Sequence, residues 1–491
     1  MPLFQRLILG TFFCGLFFQS LKAQNFTKDF SPSRKHKLNE NLINEINTKY
    51  DSLVKNTDFP DRKAKKYIKG TITESKKRIK SLDSADLLMY TDTITRYLQV
   101  ITDKIQKSNA LIRDKKLTIF TYRTDVPNAS NRAAGVIFIN LDLITKLHNE
   151  AEMAFIISHE ISHDVKGHVM ASLLKGTELE ENEEFRKELK KILKQDYGRL
   201  KAVETLFFKY MSKYTEHSRG HELQADSLGL IFYASAGYPS ASAIKTIQIL
   251  DSVDTPVYTN KIDYMKFFNF PSYAFKKSWL VAEEEESIGG NATAFKLPDS
   301  LKTHPDCKIR AATLEKMVPN LKFQPANGKK ESYEFYRLDA EFEMIEFLQQ
   351  DYELSTGLYS TLQLLNLYPD NIYLKCSVVN ILYELKNSQS EHYFSAVTDF
   401  PDKKFCESYN QMLVFLHNTN SDVLKNLAIN YFNANLKNAS SSPFAGYVAI
   451  LLKSIDVPQE EKFKLIAEYK SRYSDAYYIK KLERKFTPKK K

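Results

Sequence analysis

The spacing of apolar residues changes character along this chain, and each change marks an element. Leu87, Tyr90, Ile94, Tyr97, Ile101 and Ile105 recur at steps of three and four, which predicts an amphipathic helix capped by Asp83 or Ser84. Leu117–Tyr122 alternates like a strand and Val136–Ile139 reads as a second one, with Pro127-Asn128-Ala129-Ser130-Asn131 as a turn region between them. Asn140 or Asp142 opens the next helix. From Glu150 onward an apolar run, Ala154-Phe155-Ile156-Ile157, leads into Ser158-His159-Glu160-Ile161-Ser162-His163. Val169 to Tyr214 reads as a charged, solvated helix pair, and Ala236-Gly237-Tyr238-Pro239 stops a later helix. Past Ser332 the pattern is helical to the end, with a helix through Leu358, Leu362 and Leu365 stopping at Tyr368-Pro369-Asp370-Asn371.

These patterns predict an α+β fold, mostly α. Residues 24–116 form a helical N-terminal region, either a scaffold packed on the core or a removable pro-segment. Residues 117–325 hold the strands and the HEISH helix, and residues 332–491 form a helical-repeat domain. The hairpin closed at Pro369-Asp370-Asn371 resembles a degenerate tetratricopeptide unit, in an irregular solenoid of the kind that holds peptides or partner proteins. If Val136–Ile139 lies at the sheet edge, it can pair with an extended peptide through the main chain; otherwise it is an inner strand. Tyr258 to Trp279 is dense in Tyr and Phe and reads as an irregular loop, a candidate substrate lid.

Composition changes little of this. The 491 residues are 43% hydrophobic and 26% charged, and the net charge of +10 reads as spread along the chain, with only the Pro488–Lys491 tail compact. That speaks against nucleic acid as the partner. Arg6, the short apolar stretch Leu7–Phe18 and Ala23 before Gln24 predict a signal peptide over residues 1–23, hence an exported protein, periplasmic or secreted. The alternative is an uncleaved anchor. No later stretch is long and apolar enough to span a membrane, so peripheral membrane contact is the most that is expected. Cys307, Cys376 and Cys406 have no metal-type spacing; Cys376 and Cys406 are either a disulfide or two independent thiols.

The chemistry sits in HEISH. Residues four apart on a helix lie roughly 40° apart around its axis. His159 and His163 can therefore converge on one metal ion, with Glu160 beside its open position. A catalytic zinc site takes three protein ligands and leaves one position for water. Lys166 and Val169 stand where a metzincin has glycine and histidine, which excludes that class. His168, five residues past His163 on the same helix, points away. Glu222 is the better third ligand, with His221 as the fallback; Asp226, one turn on, can accept the second ring N–H of a ligand histidine.

His159-Glu160-x-x-His163 followed by Ser218-Arg219-x-x-Glu222-x-x-Ala225-Asp226 resembles the HtpX-like zinc endopeptidases, the family that includes the CaaX prenyl-protein proteases. Glu152–Phe155, Ala236-Gly237-Tyr238, and Thr303-His304-Pro305 followed by Arg310 agree with it, so that the resemblance covers about residues 117–318. It implies a zincin-like core with one zinc ion per chain held by His159, His163 and Glu222, and Glu160 as general base. His304 is expected either to stabilise the oxyanion or to act as a fourth ligand, and Arg310 to pair with a nearby carboxylate. The implied reaction is endopeptidase hydrolysis of proteins or peptides, such as unfolded envelope proteins. Lacking later membrane helices, the chain departs from the prenyl-protein proteases. The competing class is a chaperone-like or scaffold binding protein with a closed or inactive zinc site.

Overall fold

The computed structural model describes residues 26–33, 38–192, 219–252, 261–281, 307–321, 333–403 and 405–487. Helices α1 (Glu40–Lys55) and α2 (Arg62–Ser84) precede a small sheet of β1 (Leu88–Met89), β2 (Thr118–Tyr122), β3 (Ala129–Asn131) and β4 (Val136–Asn140). The strand order is β1-β2-β4-β3. β2 and β4 run parallel with Phe120 opposite Phe138, and both outer pairs are antiparallel. Alternate side chains of a strand point to opposite faces. Ile119, Ile137 and Ile139 therefore join one apolar cluster with α3 (Thr93–Lys107), α4 (Leu141–Lys146) and α5 (Glu150–Lys166). Phe120, Val136 and Phe138 join another with α1, α2 and α6 (His168–Glu181); α7 (Glu183–Ile192) follows. Burial of both faces explains the unbroken apolar run Val136–Ile139 of β4.

Two expectations about this region are corrected. The helix after α2 is capped by Asp92, whose carboxylate accepts from the Thr95 N–H, and not by Asp83 or Ser84. Asp86 turns the chain at φ +60°, and Leu88 and Met89 pair with β2, so helical spacing continues across a strand that the sheet has claimed. Val136–Asn140 is an inner strand between β2 and β3, and the edge is Ala129–Asn131, in the segment that reads as a turn. Those three half-buried residues carry no apolar alternation; backbone pairing with β4 alone makes them a strand.

The C-terminal half is helical: α8 (described over residues 219–235), α9 (Ser240–Ser252), α10 (Tyr264–Phe268) and α11 (Cys307–Met317) lead into it. Then come α12 (Tyr333–Gln350), α13 (Leu354–Leu367), α14 (Ile372–Ser390), α15 (Glu407–His417), α16 (Ser421–Asn435), α17 (Pro443–Lys453), α18 (Gln459–Arg472) and α19 (Ala476–Phe486). α13 and α14 meet at the Pro369-Asp370-Asn371 turn, where Asn371 caps α14. Two segments from earlier in the chain pack into this cluster. Phe26 and Phe30 lie 5.0 and 4.9 Å from the Phe342 ring, and the Phe26 carbonyl accepts from Asn371 Nδ2 at 2.7 Å. The aromatic segment is held the same way: Ile262 N–H donates to Ser408 Oγ at 2.9 Å, Tyr264 Oη donates to the Ser408 carbonyl at 2.7 Å, and Phe268 and Phe275 pack on Phe415. Its described part is thus buried against α15 and α16, where its apolar rings find cover, and is not a lid over the HEISH helix.

A buried ion pair ties the sheet to α12. Arg123, 2% exposed, meets Glu343 at 3.0 Å, and both also bond the backbone of Ser33. Among the described residues Cys307, Cys376 and Cys406 are free thiols, so there is no Cys376–Cys406 disulfide. Cys376 is buried within the apolar cluster, while Cys406 Sγ accepts from the Tyr409 N–H as the cap of α15. The charge is also less even than expected, because α2 carries a dense basic face. Residues 1–23, part of the charged insertion, Thr303-His304-Pro305 and the 488–491 tail lie outside the described residues. Among those described, no helix is long and apolar enough to cross a membrane.

Candidate metal centre

α5 is fixed before it reaches its histidines. Asn149 caps the first turn by accepting from the Glu152 N–H at 3.0 Å, and Glu152 reaches back past the cap to the His148 N–H at 2.6 Å, which fixes the chain entering the helix. Glu150 accepts from Tyr97 and Tyr238, each at 2.8 Å, and so ties the same turn to α3 and to the segment after α8. At the other end Gly167, at φ +68°, stops the helix in the left-handed conformation that glycine adopts without strain. His168 then starts α6 and does not continue α5. The spacing argument that sends it away from His163 presumes one unbroken helix, and the turn at Gly167 removes that premise.

Three donors converge. His159 Nε2 and His163 Nε2 lie 3.0 Å apart, and Glu222 reaches them at 3.5 and 3.4 Å. With metal–ligand bonds of about 2.0–2.1 Å, the edge of a coordination tetrahedron is about 3.3 Å. The spacings fit one metal ion, and among the described residues this is the one His/Cys/Asp/Glu group found close enough to hold one. Glu160, 5% exposed, follows His159 on the same helix, and Asn131 of the edge strand donates to its backbone carbonyl at 3.2 Å. Beside His159 and Glu160 a recess is walled by Leu143, Phe155, Ile156 and Leu250, with Asn128 and Ala129 also lining it.

The outer hydrogen bonds leave both Nε2 atoms available. Asp226, fully buried, accepts from His159 Nδ1 at 2.9 Å, and Arg310 grips Asp226 with Nε at 2.6 Å and Nη2 at 2.7 Å. Burial opposes the charge on Asp226, but Arg310 and His159 outweigh it and hold the carboxyl below its usual range. Burial likewise opposes a charge on His159, yet the Asp226 and Glu222 carboxylates push it up to about 10. In the metal-free protein a proton therefore sits where a metal would bind, and binding would release it. Burial, with His163 and His221 nearby, pushes His168 down to about 4. Neutral His168 gives its Nε2–H to Gln224 at 3.2 Å and accepts from His163 Nδ1 at 2.9 Å, which turns the lone pair of His163 Nε2 inward.

The structure brings His159, His163, Glu222 and Asp226 together with Glu160 alongside. His221 stacks on His168, with ring centroids 4.1 Å apart, and is outside the converging group; His304 lies outside the described residues. Sequence reasoning missed the part of His168 and Gln224. It also missed Gly229. An added Cβ there would stand 3.1 Å from both Cα and N of His159, so α8 approaches α5 closely at the level of the converging donors. Glu222, Ala225, Asp226 and Gly229 form one helical face, and that i, i+3, i+4 recurrence was the available signal. Gly229→Ala is expected to destabilise by ~1–3 kcal/mol through overpacking. This opposes the ~1 kcal/mol that the same change gains in an open helix. Metal affinity should fall about tenfold or more as His159 shifts. Denaturation and metal titration of the variant check both; a more stable variant with unchanged affinity would contradict the close fit.

Comparison with known proteins adds one finding. The model of peptidase family M48 matches residues 93–318, from the first turn of α3 to just past α11. No curated protein matches the chain.

Proposed function

We propose that the protein is a zinc-dependent endopeptidase, a reading supported by the match of residues 93–318 to the model of peptidase family M48. One zinc ion per chain is held by His159, His163 and Glu222. The convergence of those three donor atoms, each with its own outer partner, carries this reading. Zinc bound there supplies Lewis-acid polarisation of a scissile carbonyl and brings the pKa of water to about 7. Glu160 takes the proton of the attacking water and returns it to the leaving amine. Asp226 holds the His159 tautomer, and Arg310 keeps Asp226 ionised. His304 is assigned on sequence grounds to the oxyanion, with a fourth-ligand role as its rival.

The substrate is a protein or peptide. The edge strand β3 lies on the Glu160 side of the site and offers main-chain pairing to an extended chain. The segment Arg6–Ala23 supports export to the periplasm or beyond. The helical domain over residues 332–491, tetratricopeptide-like at α13 and α14, is assigned to gripping unfolded envelope proteins. Glu222→Ala tests the ligand set: zinc measured in the purified variant should fall from one per chain to a small fraction, whereas full zinc content would point to His221 or His304.

A further inference from the structure

α2 spans 23 residues, about 34 Å of helix. It buries Ala64, Ile68, Ile72, Ile79 and Leu82 and leaves most of its lysines and arginines exposed. Between Arg62 and Lys80 the sequence has nine lysines and arginines against one acid, Glu74, a net +8 in a chain whose total is +10. Lys65, Lys66, Lys69, Lys77, Arg78 and Lys80 are all exposed. Solvated helix faces ordinarily mix both signs, since like charges one turn apart repel. Alongside, an open groove between α1 and α2 is lined by Lys55, Lys65, Lys69 and Lys76 with Thr73 and Asp51, the last paired to Lys76 at 2.7 Å.

We propose that this outward face of α2 docks on the surface of an anionic lipid bilayer. Charge complementarity names the partner's sign, and the shape narrows its class. The cations are spread along one straight, solvent-facing side, as on polybasic segments that gain affinity additively from anionic headgroups. Nucleic-acid binders of the single-stranded kind add aromatic platforms for bases. The one aromatic residue of α2, Tyr67, is instead packed on Gly176 of α6. α1 and α2 cover the sheet face opposite α3 and α5, so docking there leaves the side bearing the His159–His163 helix uncovered.

The test is co-sedimentation of the full chain with vesicles of neutral phosphatidylcholine, or with the same lipid carrying 30% phosphatidylglycerol. The comparison variant combines Lys66→Gln, Lys69→Gln, Arg78→Gln and Lys80→Gln. Both proteins share their N-terminus, so any contribution of Leu7–Phe18 cancels. Wild type should bind the anionic vesicles at least ~10-fold more tightly than the variant, and the difference should vanish at high salt, where screening shortens to a few ångströms. Equal binding by the two proteins, or a difference that persists on neutral vesicles or at high salt, overturns the proposal. So does tighter binding of duplex DNA or RNA than of anionic vesicles, which would make the face a nucleic-acid surface. Circular dichroism of the variant, expected unchanged because all four side chains are exposed, separates lost docking from lost fold.

Discussion

Glu160→Gln is expected to lower protein hydrolysis by about 10²–10⁴-fold, the range that a positioned general acid–base contributes. Zinc content and thermal stability should stay at wild-type values. Glutamine keeps the size and shape of the side chain but cannot accept and return a proton. Glu160 is not among the converging donors, so the metal has no reason to leave. Its place in α5, next to His159 and against the recess, is set by backbone packing that the substitution does not touch. A variant that digests casein at the wild-type rate would remove Glu160 from the reaction. A variant that loses digestion yet supports the protein's full function in the cell would favour the chaperone-like or scaffold role.

Arg310→Ala carries the largest expected loss of stability. Arg310 is 1% exposed and makes two charged hydrogen bonds to fully buried Asp226, while its Nη1 lies 3.4 Å from Glu222. Removing one partner of a buried pair leaves the other charge uncompensated, at a cost of ~3–5 kcal/mol. The same change frees Asp226 to shift away from His159, and loss of such an outer partner typically weakens metal affinity by about 10–100-fold. Arg310→Lys should recover part of the stability, since it restores charge without the two-pronged contact. Urea denaturation and zinc titration of both variants measure these effects. An alanine variant within ~0.5 kcal/mol of wild type, as for an ordinary surface change, would show that the Arg310–Asp226 pair does not hold the centre together.

How much of this was legible beforehand follows from what each residue depends on. HEISH depends on one helix, so the convergence of His159 and His163, with Glu160 beside them, can be read from local spacing. Glu222 and Asp226 are also one turn apart on a helix, and ELQAD shows them without tertiary information. Gly229 could have been read from the same face but carries no chemistry of its own; its meaning is the 3.1 Å approach to His159, a property of two helices together. His168 was misplaced because the helix ends at Lys166 and Gly167 turns the chain before it. The edge strand was hidden because Ala129-Ser130-Asn131 owes its pairing to β4 and not to its side chains. The same holds for Phe26, Phe30 and the aromatic segment around Phe268: their apolar rings show that they must be covered but not by what, and the cover is α12–α16, far along the chain. The basic face of α2 was readable from the local sequence, but a whole-chain total of +10 conceals a +8 concentrated in nineteen residues.

The most direct measurement is casein digestion by the chelator-stripped chain as zinc is added back in known ratio. A peptidase centre at His159, His163 and Glu222 predicts negligible hydrolysis without metal and a rise that levels off at one zinc per chain. Hydrolysis that is unchanged by stripping, or absent at every zinc ratio in a folded protein, would contradict it.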